Sequence, residues 1–439
     1  MSEAPTNGHS TGFDDASMAV SPAYWDHGQT NEPSARPGSA AVRRANWLGL
    51  AAAATPLVAA GVAGAREVVR ADAARRRGVT TRNGVPVPEP SIGLGVAAAV
   101  DTLLAAPMPL LSSLGAAEHY TLASAELDAA VRYYGDAGWL DAPQLRHRRP
   151  NAPGAVAIKA ISPEMDLARF DSGWRPEAGE PGGERWLTFR ANERVPVRLL
   201  RHPGAPRPWL VVVHGQGMGR PSDVKMLHVR RIHDQLGINV ALPVLPLHGP
   251  RSCGLSPARQ FASNVFATNN VLGLTQAVWD VRRLLQWLRE DQRAPSVGLL
   301  GVSLGSYVIN LLSTLEGDLA CLIAVVPTDD LAASMRNAAP VTPAKRRLHR
   351  KVHDHRSVLV HRVVSPLARP CLVAHQRRHI VAGQVDRIAP PRGAAQLWRH
   401  WDEPSIAWCP RGHLTAWHGT AYDDHIASFL TSSGLRHQS

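Results

Sequence analysis

Gly301-Val302-Ser303-Leu304-Gly305 constrains the fold more than any other part of this sequence. It follows a short apolar run, Val297-Gly298-Leu299-Leu300, and leads into the helix-prone segment Ser306–Leu315. A strand that turns at once into a helix needs a very tight corner. The corner residue is forced into a strained backbone conformation, and side chains two positions to either side would collide. Glycine at 301 and at 305 removes that collision. Ser303 is then lifted above the sheet edge, at a helix N-terminus where developing negative charge is favoured. A lone serine hydroxyl is barely ionised near neutral pH and needs a neighbouring base. Without such a base, Ser303 would be no more than a helix cap.

The flanking pattern predicts the sheet that such a corner requires. Trp209-Leu210-Val211-Val212-Val213 is a continuous β-branched run of the kind buried on both faces. Helix signals follow at Pro221–Leu236, with Gly237 at the end, and strand signals at Asn239–Leu245. Gln276–Asp291 is amphipathic, with Val281, Leu284, Leu285 and Leu288 on one face. Strands are expected at Val297–Val302, Leu319–Val326, Ile380–Gly383 and Ile406–Cys409, and helices at Gly393–Trp401 and Tyr422–Leu430. Repeated β-α alternation implies a mostly parallel central sheet with helices on both faces, an α/β fold. The basic, proline-interrupted stretch 330–366 is expected to form a helical insertion at the carboxyl edge of that sheet. Trp186–Arg190 and Val195–Arg201, separated by Asn192-Glu193, suggest an antiparallel hairpin at the start of the domain.

A base and an acid for Ser303 should lie downstream, at other carboxyl ends of strands. His413 sits in Pro410-Arg411-Gly412-His413, a turn just past the strand Ile406–Cys409, while most other downstream histidines fall on helices or in the insertion. His418 is the alternative. Asp386 emerges just past the apolar strand that ends at Gly383, 27 residues before His413. It can accept the imidazole N–H and hold the ring in one tautomer. Asp329 or Asp330, after the strand Leu319–Val326, is the rival, and a simple Asx turn is the alternative role for Asp386. His214-Gly215-Gln216-Gly217-Met218-Gly219 follows the strand Trp209–Val213. Its glycines, Gly215 and Gly217 among them, let a backbone N–H turn inward, so Gln216 and Leu304 are the expected pair of oxyanion donors. His214 reads as structural. Arg251, in Pro246–Arg251, could hold a substrate carboxylate or phosphate in a bidentate contact, but pairing with a surface acid is the favoured reading.

The rest of the chain is read by composition. Residues 1–40 are polar and carry no apolar period, as in a disordered tail. Residues 41–140 are alanine-rich and helix-prone, and 141–184 are rich in proline, glycine and charge, like a linker. The uncharged run 45–65 is long enough to span a bilayer, but its many alanines, Pro56 and flanking arginines favour packing on the body. Contact with a membrane surface through this region is the alternative. The run 91–117 is broken by Asp101, Pro107 and Pro109. The formal charge of +12 sets 48 basic residues against 36 acidic ones, and the basic residues, only four of them lysine, are scattered and not interleaved with aromatic residues. This pattern argues against a nucleic-acid partner. Four distant cysteines, none in a CxxC pair, give no metal or disulfide framework and fit a cytoplasmic chain.

Taken together, the His214–Gly217 loop, the corner at 301–305, the segment Gly383–Pro391 and Gly412-His413 resemble the α/β-hydrolase superfamily over about residues 185–435. The resemblance implies cleavage of an ester, thioester, lactone or amide with no metal and no cofactor, and a small or lipid-like acyl substrate. Serine at 303 sets the chain apart from the dehalogenase-like members, which carry aspartate there. An acyltransferase using the same residues and a non-catalytic binding protein of the same fold are the alternatives. The resemblance does not extend to residues 1–184.

Overall fold

The computed structural model describes residues 39–113, 116–256, 260 and 263–436. The expected tail at 1–40 falls almost wholly outside them. Two short strands, β1 (Thr81–Arg82) and β2 (Val85–Pro86), form a small hairpin. The remaining nine strands make one sheet. They are β3 (Ala157–Ser162), β4 (Met165–Asp171), β5 (Arg194–Leu200), β6 (Trp209–Val213), β7 (Asn239–Pro243), β8 (Val297–Val302), β9 (Leu322–Val325), β10 (Arg378–Gly383) and β11 (Ser405–Cys409). Their order is β11-β10-β9-β8-β6-β7-β5-β4-β3. The six strands from β11 to β7 run parallel, and β5, β4 and β3 add antiparallel to one side. This is the expected mostly parallel α/β architecture.

Burial explains why these runs became strands. Every residue of β6, β7, β8, β9 and β10 is buried, as continuous apolar segments covered on both faces must be. One face is covered by the long helix Ala267–Glu290, which contributes Val281, Leu284, Leu285 and Leu288 to the larger core. The opposite face packs Ile232 of the helix Val229–Leu236 and Ile426 and Leu430 of the helix Thr420–Ser432 against Val240, Leu300 and Ile323. The chain leaves β6 toward β7 on one side and returns through β8 on the other. A crevice opens at the carboxyl ends of strands where the order reverses in this way.

Three expectations are corrected. The segment 141–184 is not a linker, because β3 and β4 lie within it and extend the sheet. Their register is set by hydrogen bonding, of β4 to β5 and of β3 to β4, rather than by apolar composition, and β3 is exposed along its whole length. The hairpin expected from Trp186 to Arg201 is absent. Gly183–Leu187 is helical, and Trp186 is buried against Trp174 and Phe189, so β5 pairs with β4 instead. The helix expected over Pro221–Leu236 is broken at His228, which adopts φ 54° between Asp223–Met226 and Val229–Leu236.

The N-terminal region consists of the helices Ser39–Arg76, Ile92–Ala105 and Ala117–Asp136, with a short turn of helix at Met108–Leu111. The first two form a tight pair. A Cβ on Gly64 would overlap the carbonyl of Gly95, so their backbones touch. Ser91 caps the second helix, its Oγ accepting from the Leu94 N–H at 3.1 Å. Among the described residues, Ile92–Leu111 is the stretch long and apolar enough to cross a membrane. The insertion at 330–366 holds three helices, Leu331–Asn337, Pro343–Val352 and His355–Arg362.

Candidate active site

β8 ends at Val302, and Ser303 takes φ 54° and ψ −115° before the helix Leu304–Leu312 begins. Such a conformation is costly for a non-glycine residue and persists only where its surroundings enforce it. Here the two glycines do so. A Cβ on Gly301 would run into the backbone of Gly305, and one on Gly305 into the carbonyls of Val213 and His214. The helix therefore starts pressed against the ends of β6 and β8, with the Ser303 hydroxyl at the sheet's carboxyl edge.

The downstream residues meet it there. Ser303 Oγ lies 3.0 Å from His413 Nε2, and His413 Nδ1 lies 2.7 Å from Asp386 Oδ2. The carboxylate can only accept, so the ring carries its proton on Nδ1 and leaves Nε2 to accept from the hydroxyl. His413 and Asp386 are both buried. Asp386 also accepts from the N–H groups of Ile388 (2.9 Å) and Ala389 (2.7 Å) through Oδ1. The Asx turn weighed as an alternative is thus present, on one oxygen, while the other orients the histidine. Neither Asp329 nor Asp330 takes that place. Asp330 caps the helix Leu331–Asn337, accepting from Ala333 at 2.8 Å. His418 stands beside Trp417 and His228 rather than at Ser303.

The loop after β6 passes directly over Ser303. A Cβ on Gly215 would meet the Ser303 Cβ at 3.4 Å and the Val302 carbonyl at 3.3 Å, and Gly217 adopts φ 77°. Gln216 and Leu304 line the same cavity as Ser303. Leu304 opens its helix, so its N–H is one of the first-turn donors with no acceptor inside the helix. His214 is structural. Its Nδ1–H donates to the Gly215 carbonyl (2.8 Å), and its Nε2 accepts from the Leu245 N–H (3.1 Å). Burial drives its pKa down to about 3, so the ring is neutral.

Arg251 is a correction. It neither lines the cavity nor meets a surface acid. It is fully buried, bonded to Asp280 (2.8 Å) and to the carbonyls of Val244 (2.8 Å) and Asn192 (2.7 Å). Its donors are turned inward, toward the helix Ala267–Glu290 and the end of β7, and hold that edge together.

A cavity of about 430 Å3 opens beside Ser303. Its walls come from the helix Ala267–Glu290 (Leu274, Ala277), the insertion (Leu331, Met335) and the N-terminal region (Met108, Pro109). Most of this lining is apolar, the character of sites that take an apolar group and orient it with a few polar contacts. Among the described residues, no group of three or more histidine, cysteine, aspartate or glutamate side chains is placed to hold a metal ion.

Two neighbours of Ser303, Asp386 and His413 were missed in the sequence. Asp101, on Ile92–Ala105, accepts from the His413 N–H and the Arg387 N–H. Arg387 also lines the cavity. The available signal was a single acid inside an alanine-rich apolar helix, read above only as an interruption.

No family model matches the chain. Two Mycobacterium tuberculosis proteins are similar to it over most of their length. The uncharacterized protein MT2702 of strain CDC 1551 / Oshkosh is 37% identical over 360 residues, 80% of this chain and 85% of that one. The uncharacterized protein Rv2627c of strain H37Rv is 36% identical over the same shares. Among solved structures, an acetyl xylan esterase from Paenibacillus sp. R4 is similar at 12% identity, over 68% of this chain and 93% of that one, with a TM-score of 0.45. Acetyl xylan esterase 1 from Thermoanaerobacterium sp. JW/SL YS485 is similar at 14% identity, over 67% and 93%, with a TM-score of 0.44.

Proposed function

We propose that this chain, which belongs to one family with the two Mycobacterium tuberculosis proteins, is an α/β-hydrolase-type serine hydrolase cleaving a carboxylic ester through an acyl-enzyme. The observation that carries this reading is the unbroken hydrogen-bonded chain from Ser303 through His413 to Asp386.

Ser303 Oγ attacks the ester carbonyl while its proton passes to His413 Nε2. Asp386 stays ionised, holds Nδ1–H and stabilises the imidazolium. The carbonyl oxygen becomes an oxyanion, bound by the N–H groups of Gln216 and Leu304. Loss of one such donor typically costs about 3–4 kcal/mol of transition-state stabilisation. The tetrahedral intermediate collapses, and the alcohol leaves with the proton from Nε2. Water then gives its proton to Nε2 as it attacks the acyl-serine, and the acid is released as Ser303 regains its hydrogen. The apolar cavity beside Ser303 favours an apolar acyl group.

The test is hydrolysis of p-nitrophenyl esters, with a fluorophosphonate probe for the nucleophile. Wild-type protein should turn over the ester and label at Ser303. Ser303→Ala should lose both, with residual turnover on the order of 10⁻⁶ of wild type by analogy with other serine triads. Undiminished turnover by the variant would refute the assignment.

A further inference from the structure

The loop bearing Asp386 is gripped by the N-terminal region at several points. Gln384 Nε2 donates to the Pro86 carbonyl (2.8 Å). Val385 is buried among Ala71, Leu94, Ala97 and Ala98 of the paired helices. The Arg387 guanidinium lies 3.8 Å from the Glu67 carboxylate. At the centre of this contact is Asp101, with no exposed surface. Its carboxylate accepts the His413 N–H with both oxygens, at 2.7 and 2.8 Å, and the Arg387 N–H at 2.9 Å. One side chain thus ties the residue after the acid to the backbone of the base.

Gly412 carries an independent trace of the same contact. A Cβ there would fall on the Asp101 carboxylate. Gly412 is not among the glycines at positive φ, so backbone freedom does not explain it. The glycine before the histidine makes room for an acid more than 300 residues earlier in the chain. Burial raises the Asp101 carboxyl above its ordinary value, and the two backbone N–H donors oppose that rise. A carboxylate kept here at such cost, and bonded among the described residues to the two loops of the candidate triad, is poorly explained as general packing.

We propose that Asp101 is a positioning residue for hydrolysis: it locks the His413 turn to the Asp386 turn, so that the N-terminal helices are part of the catalytic apparatus. This rests on the hydrolase reading above. Displacing a reacting group by about 1 Å can lower a rate on the order of 10²-fold. Asp101→Ala, in the full-length protein, should therefore lower kcat for a p-nitrophenyl ester on the order of 10²-fold while KM stays within about 3-fold. Asp101→Asn should fall between, because its carbonyl oxygen can still accept one N–H but its amide nitrogen cannot. Gly412→Ala should damage kcat in the wild-type background and do little further harm in Asp101→Ala, where the methyl has space. That non-additivity is the signature of direct contact.

Near-ultraviolet circular dichroism separates misplacement from unfolding. Full kcat in both Asp101 variants, additive effects of Gly412→Ala, or loss of the folded signal in Asp101→Asn as well as Asp101→Ala would each overturn the assignment. If wild-type protein neither turns over the ester nor labels at Ser303, the hydrolase reading falls and takes this inference with it. A labelled wild type with indifferent Asp101 variants overturns this inference alone.

Discussion

Arg251 and Asp280 form an ion pair at 2.8 Å with 1% and 3% of their side chains exposed. Ser172 completes the carboxylate, donating to Asp280 Oδ1, and Arg251 spends two further donors on the Val244 and Asn192 carbonyls. Removing one partner from a buried pair leaves the other charge uncompensated, a loss of about 3–5 kcal/mol. Arg251→Ala should therefore lower the urea midpoint sharply, while KM for a neutral ester in the surviving folded protein is unchanged. A raised KM with unchanged stability would restore Arg251 to a binding role.

The contrast between Arg251 and Ser303 shows what the sequence could reveal. Ser303, Asp386 and His413 were legible because each sits just past a short apolar strand, in local patterns with a mechanical cause. Arg251 shares that placement, but a loop arginine can turn outward to substrate or inward to a buried acid. Only the packing of Asp280 on a neighbouring helix decides between them. Asp101 was illegible for a related reason, since its partners are backbone groups some 290 and 310 positions away. The edge strand β3 escaped notice because edge strands need little apolar alternation, and Ala157–Ser162 is exposed throughout, while β4 beside it is only partly buried.

Asp386 and Asp329 offer a direct comparison of two buried acids near the same strand ends. Asp386→Asn should leave the fold intact and lower kcat roughly 10⁴-fold, since an amide can hold the imidazole in the wrong tautomer. Asp329 has one carboxylate oxygen without a hydrogen-bond partner, and burial raises its carboxyl above the ordinary range. Asp329→Asn removes a buried charge that His413 does not contact, so kcat should stay within about 3-fold of wild type. Steady-state kinetics on the two variants decides the matter. Comparable losses in both would show that the histidine exchanges between acids.

The cavity beside Ser303 should set acyl preference. Met335 lines it from the insertion and is only half-buried, so a larger side chain there adds bulk without the full strain of core overpacking. Met335→Trp should lower kcat/KM for p-nitrophenyl octanoate at least 10-fold more than for the acetate. A methylene is worth roughly 1 kcal/mol in an apolar pocket, so exclusion of two or more suffices for that ratio. Equal effects on both esters would mean that the acyl chain lies elsewhere.

Stability should respond to acid through buried histidines, and His147 isolates the effect. Its Nε2 donates to the Val363 carbonyl at 3.0 Å, while Nδ1 is buried without a partner. Burial lowers its pKa to about 4, against about 6.5 in an unfolded chain. Above pH 6.5 the ring is neutral in both states and its contribution does not change with pH. Between 6.5 and about 4 the unfolded chain binds a proton that the folded protein does not, so stability is lost as the pH falls. Other buried groups add to the wild-type slope, some in the opposite sense, as the raised carboxyl of Asp280 does. A comparison with His147→Gln cancels them, because the glutamine amide can still donate to Val363 but does not titrate. Urea midpoints converted to free energies should fall less steeply with acid in the variant. The difference should approach 1.4 kcal/mol per pH unit in this window, the value for one proton. Superimposable slopes would mean that the ring is protonated in the folded protein, and that the burial at Val363 is relieved by water.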